Sequence, residues 1–466
     1  MRSEDNRGIY QLVLLSAVSV AVGIGSAGAA ETTAPTAPPT AAAPAGSDDV
    51  KLRLSLEQAV RLGLSSAERI GASRAGHERA DGAVLEAYSG ILPLVAATGS
   101  LTRSKTEVQT VGGVRTPADP YANLYSGTVQ LTQPLFTGGA VYYGVKAARE
   151  RRAAAGEDVR AAQQTTIFTV AQGYYSAVLA REELIVVRGS YDLAKRHFED
   201  VQARERAGTA SKFDVLRAKV AMQNQETQVI SAENSASLAM AALLRETGLP
   251  QNSRVELVTD FNTEGVAPRS IEESIRTAMA KRPEMASAML ASRAQRDSVG
   301  AARSGYLPKV SGTASWGGTS TEDPTADDHL TEAGRIGVQV QWNLFDGALT
   351  RARVAEARAD LSRYEWQERG LRSDIELQVR QAVLRLENAR ALLDSQGANV
   401  QEAAEAFRLA EARQKAGAGT ELDVQDARNA WEQAKLSQVR ARSQYAVARL
   451  TLDQATGVLE SSWRKP

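Results

Sequence analysis

Leu135-Phe-Thr-Gly-Gly139 opens a proline-free stretch that closes on Thr247-Gly248, and the chain runs the same course again from Leu344-Phe-Asp-Gly347 to Thr456-Gly457. Phe136 answers to Phe345, Gly138 to Gly347, Phe198 to Phe407, Ala207-Gly208 to Ala416-Gly417 and Asp214-Val215 to Asp423-Val424, all at one constant offset. An ungapped register held over a stretch of this length marks a tandem duplication. Upstream, Ser55-Leu56-Glu57 answers to Ser270-Ile271-Glu272 and Leu92-Pro93 to Leu307-Pro308 at a slightly larger offset. The first copy therefore carries its extra residues between Pro93 and Phe136, where a loop absorbs them.

Within each copy the apolar residues recur at sevens: Val170, Ala177, Leu184, Tyr191 and Phe198 in the first, Val379, Leu386, Leu393, Val400 and Phe407 in the second. This is coiled-coil spacing. It predicts long helices over residues 139–206 and 347–415, each about 100 Å long at 1.5 Å per residue. Each is followed by a turn, Arg206-Ala-Gly-Thr-Ala-Ser-Lys-Phe-Asp-Val215 or Lys415-Ala-Gly-Ala-Gly-Thr-Glu-Leu-Asp-Val424. Glycine ends one helix, and Ser211 or Thr420 caps a return helix of half the length. The missing half of each return path falls to short helices predicted over 55–92 and 271–304, the second continuing the first return helix end to end. Ser55 and Gln58 make a capping box at the start of the first.

After Pro93 and Pro308 the period changes to two. In Tyr125-Ser-Gly-Thr-Val-Gln-Leu-Thr-Gln133, Val129 and Leu131 alternate with Thr128, Gln130 and Thr132, and Ile336, Val338, Val340 and Trp342 alternate with Gly337, Gln339 and Gln341. These are hairpins of strands about ten residues long, around polar loops holding Pro117, Pro120 and Pro324; that length crosses a bilayer within a barrel. An isolated hairpin of this kind also suits a half-buried soluble sheet. Here the chain offers no large apolar domain to pack it on. Four strands cannot close a barrel and lipid tolerates no open edge, so the barrel is expected to be shared between copies, two at the least, with three giving about twelve strands. Phe136, Tyr142, Tyr143, Trp342 and Phe345 cluster where strand meets helix, as in a membrane-interface girdle; the alternative is a core plug at the hairpin base.

Residues 1–30 read as an export signal, with Arg2 and Arg7 ahead of an apolar run and small residues; Glu4 and Asp5 leave an uncleaved anchor open. Residues 31–49, rich in Ala, Pro and Thr, form a flexible linker. Repeat 1 occupies 50–248 with its hairpin at about 94–135, a connector 249–269, repeat 2 270–457 with its hairpin at about 309–345, and a tail 458–466. The absence of cysteine excludes disulfides, thiolate metal sites and a lipidated N-terminal cysteine. Lys+Arg and Asp+Glu balance at 55 each, so no field attracts nucleic acid. Three scattered histidines, with no nucleophile elbow, metal spacing or phosphate loop, leave no basis for an enzyme, a metal site or a cofactor.

The duplicated order of Leu-Pro before the strands, Leu-Phe-Thr-Gly-Gly and Leu-Phe-Asp-Gly after them, and a Gly-to-Asp-Val turn at each helical tip resembles the TolC-type outer-membrane efflux proteins. The resemblance implies a mainly helical fold with a β-barrel part. Duplicated helical hairpins would form a trimeric periplasmic tunnel joined to one shared barrel of about twelve strands in outer-membrane lipid, four per protomer. It implies the exit duct of a tripartite efflux or type I secretion system, whose partners are a periplasmic adaptor and an inner-membrane transporter. By position, Asp423 and Asp426 match an acidic ring at the periplasmic entrance, although a carboxylate there also suits a helix N-terminus. Gly419 stands where some relatives carry a basic latch residue. Adaptor docking would use Ala207, Gly208, Ser211, Ala416, Gly417 and Thr420. The rival is an exported structural coiled coil without a channel.

Overall fold

The computed structural model describes residues 52–105, 121–263, 270–322 and 331–459. The export signal, the linker, the loop prolines 117, 120 and 324, part of the connector and most of the tail lie outside these residues. In chain order the elements are β1 (Leu52–Leu54), α1 (Leu56–Ser66), α2 (Glu68–Ser89), β2 (Leu94–Lys105), β3 (Tyr121–Phe136), α3 (Ala140–Arg206), α4 (Lys212–Thr247), β4 (Val255–Leu257), α5 (Ile271–Lys281), α6 (Pro283–Arg303), β5 (Lys309–Glu322), β6 (Thr331–Gln341), α7 (Leu349–Lys415) and α8 (Glu421–Ala455). They fall into a sheet unit and a helical unit.

In the helical unit, α3 and α7 are each 67 residues long and are answered by returns of 36 and 35 residues. The stretches predicted as single helices over 55–92 and 271–304 are each two helices. Arg282 precedes Pro283, whose ring crowds the helical conformation of the residue before it, and Arg282 is extended at ψ 122°. In the first copy the break falls at Ala67, ψ 114°, without a proline. There the Ser65 and Ser66 hydroxyls donate back to Leu62 O at 2.8 and 2.9 Å, competing with the backbone ladder.

These breaks receive the return helices. Ser66 Oγ donates to Thr247 O at 3.1 Å, so α4 ends against the α1–α2 break and not against the 271–304 segment that sequence spacing had suggested. Likewise α8 ends against the α5–α6 break, so closely that a Cβ on Gly457 would lie 2.9 Å from Arg282 N.

A core forms in each copy where its short amphipathic helix meets its long one, and the first also takes in residues of α8 from the second copy. The first gathers Val60 of α1, Ile167, Val170, Tyr174 and Val178 of α3, Leu243 of α4 and Leu450 of α8. The second gathers Ala278 of α5 with Ile375, Val379 and Val383 of α7. The heptad positions Val170, Ala177 and Val379 are buried as the spacing requires. One feature gave no sequence signal: β1 and β4 pair in parallel, Leu52 with Val255 and Leu54 with Leu257. The fully buried Tyr174 pins both, its hydroxyl lying 3.0 Å from Leu54 O and accepting from Thr259 N at 2.9 Å.

The sheet unit is four antiparallel strands in the order β2-β3-β5-β6. Its strands run 12, 16, 14 and 11 residues.

Candidate functional site

Register assigns every strand residue to a face. Val95, Ala97, Gly99 and Leu101 of β2 pair with Leu131, Val129, Gly127 and Tyr125 of β3. The same β3 residues pair with Ala314, Trp316, Gly318 and Ser320 of β5. Val310, Gly312 and Ala314 in turn pair with Val340, Val338 and Ile336 of β6. Side chains alternate along a strand, so these residues share one face, which but for Ser320 is apolar across all four strands; Thr98, Ser126, Thr128, Gln130, Thr313, Ser315 and Gln339 share the other. In the single chain the apolar face is uncovered: Val95 is 65% exposed, Val338 69% and Ile336 89%. The outer edges of β2 and β6 carry no strand partner among the described residues. A contiguous apolar face on a sheet with two open edges is stable neither in water nor in lipid on its own.

The aromatics of the proposed girdle divide. In the sheet unit, Phe136 and Trp342 are exposed, and Trp342 Nε1 donates to Tyr306 O at 3.1 Å. In the helical unit, Phe345 and Tyr142 are exposed. Tyr143, also exposed, lays its ring over Gly300 of α6, where a Cβ would meet it at 2.6 Å, and stands edge-on to Tyr142.

At the tips, both helical hairpins turn by the same device. Gly208 and Gly417 take φ +78° and +76°, which only glycine adopts at little cost, and Thr209 N and Ala418 N each reach back to a carbonyl five residues earlier at 2.9 Å. Ala207 and Ala416 close the preceding helices. Ser211 and Thr420 then cap α4 and α8 in reciprocal boxes with Asp214 and Asp423. Thr420 N donates to Asp423 Oδ2 at 2.9 Å and Asp423 N to Thr420 Oγ1 at 3.2 Å. The Thr420 backbone N–H, then its hydroxyl, hold the Asp423 carboxyl below the ordinary aspartate range; the Ser211 hydroxyl does the same for Asp214. Asp423 is thus a capping residue by geometry, whereas Asp426 is exposed and makes no hydrogen bond or ion pair among the described residues.

The tips of the two hairpins also meet across a cleft of about 230 Å³. His197 of α3 reaches Glu421 of α8 at 2.6 Å, and Gln414 donates to the other Glu421 oxygen. Burial pushes the Glu421 carboxyl up most strongly of any single cause, but His197, Gln414 and Arg204 together bring it below its ordinary value. Deeper, Arg428 is 6% exposed and stands 3.8 Å from Glu432, with Gln225 of α4 donating to Glu432 at 3.3 Å. Burial raises the Glu432 carboxyl against the pull of Arg428. None of these groups was singled out from sequence. The available signal was the spacing of Arg428, four residues after buried Val424, which puts it on the packed face of α8.

The family model described as outer membrane efflux protein matches residues 60–249 and 274–458. The outer membrane efflux protein BepC of Brucella suis is 24% identical over 386 residues, covering 82% of this chain and 81% of that protein. The alkaline protease secretion protein AprF of Pseudomonas aeruginosa is 25% identical, covering 72% and 70%. Among solved structures, the CmeC outer membrane channel of Campylobacter jejuni superposes with a TM-score of 0.77 at 20% identity over 86% of this chain and 85% of its own.

Proposed function

The chain belongs to the outer membrane efflux protein family, and we propose that three copies close one barrel of about twelve strands and line one helical tunnel. It is an outer-membrane exit duct with a periplasmic part, and not an enzyme. The observation that carries the assembly is the uncovered sheet. Order β2-β3-β5-β6 with every neighbour antiparallel leaves β2 and β6 running in opposite directions. The β6 edge of one copy therefore joins the β2 edge of the next as another antiparallel pair, which removes both edges at once. The apolar face then meets outer-membrane lipid and the Thr, Ser and Gln face lines water. Along α4, Phe213, Leu216, Val220 and Ile230 are likewise exposed in the single chain, as expected of residues that a neighbouring copy covers.

The paired tips, Ala207, Gly208 and Ser211 with Ala416, Gly417 and Thr420, present small side chains and are the surface on which a periplasmic adaptor would dock, linking the duct to an inner-membrane transporter. Relatives bearing efflux and secretion names support this pairing. Asp426, three times repeated, would supply an acidic ring that favours cations. Purified mature protein in planar bilayers is expected to give cation-selective single channels. A well-folded membrane oligomer that conducts nothing would overturn the reading in favour of a structural coiled coil.

A further inference from the structure

We propose that His197 and Glu421 form a pH-sensitive fastener between the two helical hairpins, one that tightens when the imidazole takes up a proton and slackens when it gives it up. His197 stands on α3, the outgoing arm of the first hairpin, and Glu421 opens α8, the return arm of the second. His197 Nε2 lies 2.6 Å from Glu421 Oε1, and Gln414 of α7 donates to the other carboxylate oxygen. The carboxylate is thus fixed from its own hairpin and reached from the other. The two side chains are 26% and 32% exposed, so protons exchange with solvent while most of the contact lies out of it. Histidine is the side chain whose ordinary charge change falls between about pH 5 and 8. Protonated, His197 makes an ion pair with Glu421; neutral, it leaves the carboxylate facing an uncharged ring.

The groups around the pair do not follow it. Arg204 on α3 pairs with Asp200, Arg217 on α4 faces Asp214, and Arg428 on α8 stands 3.8 Å from Glu432. Each guanidinium keeps its charge throughout that range. Asp214 lies below the ordinary carboxyl range through its Ser211 cap, and Glu421 does so against its burial through His197, Gln414 and Arg204, so both stay ionised. Glu432 differs, because burial raises its carboxyl. On gaining a proton it gives up the charge that faces Arg428, which loosens the packing as pH falls and so carries the opposite sign. The fastening by His197 is complete at the acid end of the range and is lost as pH rises through it. The contact lies within one chain and holds however many copies assemble.

The test is hydrogen exchange of the detergent-purified full-length protein, corrected for intrinsic rate, at about pH 5.5 and about pH 8. In the wild type, amides of α3 near His197 and of the first turns of α8 should be about two- to fivefold better protected at the lower pH, the worth of a partly exposed ion pair. Amides around Val170 should not change. His197→Gln and Glu421→Gln each keep a hydrogen-bonding side chain but cannot form the ion pair, and in both the difference should disappear. Should His197→Gln not fold, Glu421→Gln decides in its place. Tip protection that is independent of pH in the wild type, or greater at the higher pH, or a pH dependence that survives His197→Gln, overturns the proposal.

Discussion

Replacing Ile336 with arginine separates a lipid-facing sheet from a water-facing one. Ile336 is central in β6, 89% exposed in the single chain, and sits on the apolar face opposite Ala314 and between Gly334 and Val338 along its strand. If that face meets water, exchanging one exposed side chain for another changes stability by no more than about 0.5 kcal/mol. If it meets lipid near the bilayer midplane, an arginine costs about 2–4 kcal/mol. Three copies then lose roughly 6–12 kcal/mol of assembly stability, since each contributes the same position. Gln339→Arg, on the same strand but the polar face and opposite Ser311, is the matched control. The assay is the fraction of chain recovered from outer membranes as a heat-modifiable oligomer, with urea unfolding in vesicles for the magnitude. Ile336→Arg should abolish or severely reduce the oligomer while Gln339→Arg leaves it near wild type. Equal behaviour of the two variants would refute the assignment of faces and the barrel built on it.

Three further outcomes follow. Tyr174→Phe removes the hydroxyl that joins α3 to β1 and to Thr259, leaving the part-buried Thr259 N–H without its acceptor; thermal unfolding should show a loss of about 1–3 kcal/mol, and a loss indistinguishable from zero would remove Tyr174 as the pin of the first core. The capping carboxyls Asp214 and Asp423 have folded-state pKa values below the ordinary range, so their stabilisation is present above that range and disappears as pH falls through the folded values. Hydrogen exchange corrected for intrinsic rate should therefore show tip amides of α4 and α8 losing protection at about pH 3 relative to about pH 5, ahead of the core amides around Val170; simultaneous loss would contradict the local linkage. Finally, Asp426→Ala should lower cation selectivity without changing tip protection, and Asp423→Ala should loosen the tip; selectivity that follows Asp423 and ignores Asp426 would reverse the two roles.

What could be read from the chain was what is encoded locally. The duplication, the heptad columns through Val170 and Val379, the glycines at 208 and 417 and the caps at Ser55, Ser211 and Thr420 each need only a few neighbouring residues, and local geometry carried them through. The strand alternation was legible for the same reason, down to which residues share a face. Three features were not. The Ala67 break has no proline, and back-bonds like those of the serines beside it also occur inside the unbroken helices, so no local residue marks it. The β1–β4 pair joins three-residue segments about two hundred residues apart in sequence, too short for any period to register. The Arg428–Glu432–Gln225 cluster combines residues of α4 and α8 that are brought together only by the packing of one hairpin on the other.

The two copies show how one turn can keep its fold and change its charge. Both need a carboxylate three residues after the cap, and both have it, as Asp214 and Asp423; its repetition is accounted for by helix capping without reference to a pore. The next carboxylate is under no such requirement. Where the second copy has Asp426, exposed and unengaged, the first has Arg217, which lines the cleft. Duplication therefore kept the residue that shapes the tip and let the residue three positions on diverge in sign. One hairpin presents an anion on its surface, and the other turns a cation toward its partner hairpin. Capping of the tip by Asp423 and a ring at the entrance from Asp426 are thus separable properties of one turn, and a double substitution of Asp423 and Asp426 would confuse them.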